Sequence, residues 1–319
     1  MTRALAKVRS LKLWQQLGIF FVIAVPVALL AATTHHTETP QAAAPIAAPL
    51  PIATTTVTAP NAFMGLRLAG ESAIVYDLSN GQTLYSQNAD RQLPLASLTK
   101  LLSVYAGLQS LTLTTSITIS STSLAAEGDY GLTEGESFTF GSLAKFTLVA
   151  SANDAAEAIA EAVETARGMD ARTMLAGAAA AAGLSKTYAV NGSGLDVSTT
   201  QSGGYGSARD VAILAGKVLQ KAPAIAEATT QPSITVRSLE GTVHSLPNTN
   251  QEVTHVPGIL LSKTGYTDLA GGNLVVVFDA AIGHPVAVVV LGSTRDGRFA
   301  DVDRLMQATR DYFAGLAKH

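Results

Sequence analysis

Two strand signals sit at opposite ends of a long Ala-rich stretch, and no other feature restricts the fold as much. ESAIVYDL (71–78) and QTLYSQN (82–88) flank Ser79, Asn80 and Gly81, a short turn with Asn-Gly at its tip, and predict a hairpin. NLVVVFDA (273–280) and PVAVVVLGS (285–293) flank a second turn at AIGH and are strongly β-branched. Between them, DAAEAIAEAVETA (154–166), DARTMLAGAAAAAG (170–183, closed by Gly183) and SARDVAILAGKVLQ (207–220, with Ser207 as N-cap) have helical composition and stop signals. Strands at both ends with helices between them predict an α+β fold, an antiparallel sheet flanked by helices.

The sheet-forming region starts only after residue 62, and the chain before it reads differently. Residues 1–16 carry Arg3, Lys7, Arg9 and Lys12 and no acid, so this flank is expected to stay in the cytoplasm. Residues 17–34 include the apolar run LGIFFVIAVPVALLAA, expected to be a transmembrane anchor, with a cleaved signal segment as the competing reading because the run is short and contains Pro26. Residues 35–62, rich in Ala, Thr and Pro, read as a semi-rigid linker. Residues 63–319 are then one folded domain facing away from the cytoplasm, or secreted if the leader is removed.

Composition removes several classes of chemistry. Cysteine is absent from the 319 residues, which excludes disulfides, zinc-thiolate sites, thiol catalysis and a lipidated N-terminal cysteine. A net charge of -3 gives no basic field for nucleic acid. His35 and His36 read as solvated linker residues, and His244, His255, His284 and His319 are scattered without ligand spacing, so no metal site and no cofactor are expected.

Three short motifs carry chemistry. In LPLASLTKLLSVYAG (93–107) a helix starting near Ser97 places Ser97 and Lys100 at i and i+3, a hydroxyl beside a base. The helix N-terminus favours the negative charge that a serine nucleophile passes to its oxyanion. Lysine can act as a base only if burial or a second cation lowers its pKa. Ser142 to Lys145 repeats the spacing, but a helix N-cap followed by a surface lysine explains it. Ser151 and Asn153 in SAN precede the first helical run, whereas SQN at Ser86 to Asn88 falls in a hairpin where turn and edge polarity suffice. Lys263, Thr264 and Gly265 form a single KTG ahead of a strand-rich segment.

In order and context these motifs are those of the active-site-serine penicillin-interacting enzymes. With GLTEGESFTFGSLAKFTLVASANDAAEAIAEAV, NGSGLD, SARDVAILA and KTGYTDLAGGNLVVV, residues 70 to 315 resemble the low-molecular-weight D-alanyl-D-alanine carboxypeptidases. The resemblance implies a β-lactamase/transpeptidase-like fold and penicillin binding. It implies a serine D-Ala-D-Ala carboxypeptidase that removes the terminal D-alanine from peptidoglycan stem pentapeptides through an acyl-serine, with β-lactam antibiotics as covalent inhibitors. Ser97 would attack, Lys100 would take its proton, and Ser151 would relay a proton to the leaving amine, held by Lys263. Asn153 would bind the substrate amide and fix Lys100, Thr264 would meet the terminal carboxylate, Gly265 would leave space for the peptide, and the backbone N–H of Tyr266 would join that of Ser97 at the oxyanion. In this family an Arg often completes the carboxylate pocket; Arg295 and Arg298 are equally near, an ordinary surface role is the alternative for each, and the sequence does not choose between them.

Two other functions share the motifs: a D,D-endopeptidase cutting cross-links, and a non-catalytic module that kept the fold. Class A β-lactamases add a deacylating glutamate, whereas Glu157, Glu161 and Glu164 here read as a solvated helix face, so slow release of penicillin is expected. The better-known carboxypeptidases carry a further β-domain and a C-terminal anchor; this chain ends one helix after its last strand and is expected to tether itself from the front.

Overall fold

The strand-forming ends meet in one sheet. A computed structural model describes residues 62–316; the predicted basic flank, apolar segment and linker up to residue 61, with His35 and His36, lie outside the described residues, as does His319. Among the described residues no helix is long and apolar enough to cross a membrane. Strands β1 (Ser72–Asp77) and β2 (Thr83–Gln87) form the first hairpin. Strands β3 (Ile259–Thr267), β4 (Gly271–Ala281) and β5 (His284–Ser293) form an antiparallel meander that joins it, in the order β3-β4-β5-β1-β2. The join is β1 against β5, with Val75 opposite Val288.

The central strands read as near-continuous apolar runs because both faces of the sheet are covered. Val275, Val277, Val289 and Leu291 point into a core shared with the helices that lie between the two strand groups in sequence. Leu274, Val276, Phe278, Val288 and Val290 point the other way, against Val302, Leu305 and Met306 of the terminal helix. Each fully buried side chain of this size contributes about 1.5–3 kcal/mol relative to exposure.

The helices are α1 (Thr99–Ser110), α2 (Phe140–Val149), α3 (Asn153–Arg167), α4 (Ala171–Ala181), α5 (Ala208–Lys221) and α6 (Gly297–Leu316). All residues of α1 from Thr99 to Gly107 are buried, because α3, α4 and α5 pack around it. The predicted helices appear with small shifts: α3 starts at Asn153 and ends at left-handed Gly168, and Asp170 caps α4 by accepting from Thr173 N–H. Ser207 caps α5, accepting from Asp210 N–H. The Ser142 cap is corrected: Thr139 is the N-cap of α2, and its hydroxyl accepts from Ser142 N–H. A short hairpin, Ser233–Arg237 with Val243–Pro247, was not anticipated, although Ile234, Thr235 and Val236 form a short β-branched run in its first strand.

Candidate active site

A strained turn presents the first motif. Ser97 lies in a 3-10 turn, Ala96–Leu98, that runs directly into α1. Ala96 just before it has φ +49°, a left-handed conformation that costs about 1–2 kcal/mol for a residue with a Cβ. Strand β3 lies against this turn: a side-chain carbon on Gly265 would stand 2.9 Å from Leu95 O and 3.3 Å from Leu98 N. The bareness of Gly265 therefore serves the approach of β3 to the Ser97 turn.

Lys100 is fully buried on α1. Its Nζ is 2.8 Å from Ser97 Oγ, 2.6 Å from Asn153 Oδ1 and 2.7 Å from the Ser193 carbonyl. Burial pulls its pKa down to about 7, against the opposing pull of Glu157 and Asp154. A neutral amine has two donors and one lone pair. Asn153 and Ser193 take the two donors, so the lone pair is left for the Ser97 hydroxyl to donate into.

The second cluster joins two elements. Ser151 lies in the turn between α2 and α3 with φ +61°, and its Oγ accepts from Lys263 Nζ at 2.8 Å. Lys263, on β3, also donates to Thr264 O. Burial, then the neighbouring Lys100 and Arg298 charges, hold Lys263 well below the ordinary lysine range.

The remaining predicted residues surround these two clusters. Both amide hydrogens of Asn153 are engaged within the protein, with Glu127 O at 2.6 Å and Tyr130 Oη at 3.2 Å. Asn153 thus holds Lys100 through its Oδ1, while its amide nitrogen is held by Glu127 O and Tyr130 Oη. The Thr264 hydroxyl donates to Thr249 Oγ1 at 2.7 Å. Arg298 is buried behind β3, its Nη1 donating to Gly265 O at 2.6 Å and its Nε without a partner among the described residues. Because carbonyl and N–H point oppositely across a trans peptide, Tyr266 N–H faces away from Arg298. Arg295 instead stacks over the Tyr266 ring at 4.0 Å. Both arginines line a cleft of about 510 Å³ with Tyr130, Thr249 and Gln251.

Five residues have partners that the sequence did not reveal. The NGSGLD stretch supplies Ser193 O to Lys100, and Glu157 binds the N–H groups of Gly192 and Ser193, so it is no solvated residue; Glu161 likewise accepts from Ser120 Oγ. Asn273 on β4 donates to Pro94 O and accepts from Gly292 N–H, tying the segment before Ser97 to the sheet. His244, expected at the surface or in a structural role, is buried and pairs with Glu136 at 2.7 Å.

Comparisons with known proteins agree with this geometry. A profile of D-alanyl-D-alanine carboxypeptidase peptidases matches residues 54–295. The chain is 29% identical over 242 residues to the D-alanyl-D-alanine carboxypeptidase DacF of Bacillus subtilis, covering 74% of this chain but only 61% of that protein. It is 31% identical over 267 residues to a D-alanyl-D-alanine endopeptidase of Pseudomonas aeruginosa, covering 80% of this chain and 83% of the relative. Among solved structures, ampicillin-bound penicillin-binding protein D2 of Listeria monocytogenes superposes with a TM-score of 0.65 at 31% identity, covering 76% of this chain and 98% of that one. A D-alanyl-D-alanine carboxypeptidase of Mycobacterium tuberculosis gives 0.67 at 26% identity, covering 78% and 92%. With a matching profile over most of its length and relatives that share its sheet and helices, the chain belongs to the D-alanyl-D-alanine carboxypeptidase family.

Proposed function

We propose that this protein is a serine D-Ala-D-Ala carboxypeptidase that removes the terminal D-alanine from peptidoglycan stem pentapeptides and is acylated by β-lactams at Ser97. The observation that carries this reading is the 2.8 Å contact between Ser97 Oγ and a fully buried Lys100 whose pKa lies at about 7. Lys100 takes the Ser97 proton as Oγ bonds to the carbonyl carbon of the penultimate D-alanine. The N–H groups of Ser97 and Tyr266 receive the oxyanion, each such donor stabilising the transition state by ~3 kcal/mol. Ser151, held by Lys263, passes a proton to the departing amine, D-alanine leaves, and water releases the acyl group. Thr264 holds the terminal carboxylate, and Arg295 and Arg298, which both line the cleft, supply the positive charge beside it.

The catalytic domain works outside the cytoplasm, tethered through residues 17–34 and the linker. A second reading, cleavage of cross-links as a D,D-endopeptidase, is favoured by the volume of the cleft beside Arg298, about 510 Å³, and by the Pseudomonas relative. The test uses the segment from residue 63 with a pentapeptide fragment and a cross-linked dimer, products being read by mass spectrometry with Ser97→Ala alongside. Loss of one D-alanine supports the carboxypeptidase, monomers from the dimer support the endopeptidase, and no product from folded protein overturns both.

A further inference from the structure

One contact of Lys100 comes from a turn that no motif reading assigns a role. The Ser193 carbonyl belongs to the turn 191–194, and this turn is pressed between three elements. Ser103 Oγ on α1 donates to Gly192 O at 2.6 Å. A side-chain carbon on Gly192 would meet Ala156 O at 2.8 Å and Ala160 Cβ at 2.9 Å on α3, so the turn lies flat on that helix. Gly194, at φ +78°, abuts the Ala96 carbonyl beside Ser97. On the α3 side the Glu157 carboxylate accepts one hydrogen bond at each oxygen, from Gly192 N–H at 3.0 Å and Ser193 N–H at 2.9 Å.

Successive N–H groups converging on one carboxylate make an anion-binding concavity, here filled by the protein itself. We propose that Glu157 is a positioning residue for the reaction at Ser97, its carboxylate gripping both amides of this turn so that the Ser193 carbonyl stays within hydrogen-bond reach of Lys100 Nζ. The inference rests on the serine-peptidase reading. A neutral Lys100 needs both Asn153 Oδ1 and Ser193 O as acceptors for its lone pair to face Ser97, so loosening either lets the amine rotate.

Charge gives Glu157 a second effect on the same atom. Lys100 faces Asp154 and Glu157 from α3 and Lys263 from β3, while Glu127, Glu161 and Asp196 line the same cleft as Glu157. Both α3 carboxylates favour the protonated amine, so removing one anion makes Lys100 easier to deprotonate.

The test compares wild type, Glu157→Gln and Glu157→Asp, with Ser97→Ala as control, by the rate of acylation with a fluorescent penicillin across pH and by thermal melting. The Gln side chain keeps the shape but offers one acceptor oxygen and no charge. Its acylation rate at neutral pH is expected to fall at least about tenfold, part of the 10²–10⁴-fold that a general base supplies. Its acid limb is expected to move to lower pH by about one unit. The Asp side chain keeps the charge, so its limb stays near the wild-type position while its rate falls, and this variant carries the test if Glu157→Gln does not fold. Rate and limb unchanged in both folded variants, with only the melting temperature lowered, would reduce Glu157 to packing and overturn the inference. A folded wild type that is not acylated at Ser97 would instead overturn the peptidase reading on which it rests.

Discussion

Ser151 Oγ stands 2.8 Å from Lys263 Nζ, and the backbone that puts it there is left-handed at φ +61°. A hydroxyl on a strained turn thus meets an amine from an edge strand, and in the proposed reaction this pair supplies the proton for the leaving group. A serine without glycine's freedom stores about 1–2 kcal/mol in that conformation, a cost the surrounding packing must offset.

The first expected outcome separates that strain from the chemistry. Ser151→Ala and Ser151→Gly both remove the relay and should lower kcat/KM by at least about 10²-fold, the lower end of general acid–base contributions. Only Ser151→Gly relieves the strained φ, so it should melt higher than Ser151→Ala by the equivalent of about 1 kcal/mol. Equal melting temperatures would place the strain elsewhere, and full activity in either variant would remove Ser151 from the reaction.

The pH dependence follows from Lys100. Burial places its pKa at about 7, and the base is competent only when neutral. Acylation is therefore lost as pH falls through about 7, about tenfold for each unit below, and levels off above it. A profile with its acid limb at the ordinary carboxylate range, near pH 4, would show that a carboxylate takes the proton instead.

What the sequence made legible is what depends on local pattern. The Asn80-Gly81 turn located β1 and β2, β-branched runs located β4 and β5, and the spacings of Ser97 to Lys100 and Ser151 to Asn153 placed those side chains at helix starts. Helical periodicity indicates which residues share a face but not what that face meets. Glu157, Glu161 and Glu164 share a face of α3, yet Glu157 meets a turn whose amides lie 35 and 36 residues later. The amide of Asn153 is likewise committed to Glu127 and Tyr130, 26 and 23 residues earlier, a pairing only the folded chain creates. His244 read as one scattered histidine because its partner, Glu136, is 108 residues away.

That buried pair supports a stability prediction. Glu136 and His244 are 4% and 8% exposed in their side chains, and the histidine ring packs edge-on against Phe138 and Phe146. Glu136→Ala leaves the imidazole buried without its partner, which should cost about 2–4 kcal/mol and lower Tm by about 5–10 °C. Burial raises the Glu136 carboxyl, but hydrogen bonds from His244, Ser238 and the Thr133 N–H outweigh it and hold the group below its ordinary value. A depressed carboxylate stabilises the fold above its unfolded pKa and loses that contribution as pH falls through the folded one. The gap between wild type and Glu136→Ala should therefore narrow below about pH 4; a gap that widens on acidification would contradict the pairing.

The close approach of β3 to the Ser97 turn gives the last prediction. Gly265 has no side chain where one would stand 2.9 Å from Leu95 O, 3.3 Å from Ala96 Cβ and 3.3 Å from Leu98 N. Two of these neighbours are backbone atoms of the Ser97 turn and cannot rotate aside, so Gly265→Ala must push β3 and the turn apart by several tenths of an ångström. Strand β3 is an edge strand paired only with β4, through Gly265 opposite Asn273, so the sheet can absorb the shift at about 1–3 kcal/mol. The chemistry tolerates it less: in the proposed reaction the oxyanion sits between Ser97 N–H on the turn and Tyr266 N–H on the strand, and widening their separation weakens both donors. The Gly265→Ala protein should fold, retain Lys100 beside Ser97 on α1, and lose about 10²–10³-fold in acylation rate with little change in the pH of its acid limb. A variant that melts lower yet acylates at the wild-type rate would mean that the oxyanion is held elsewhere.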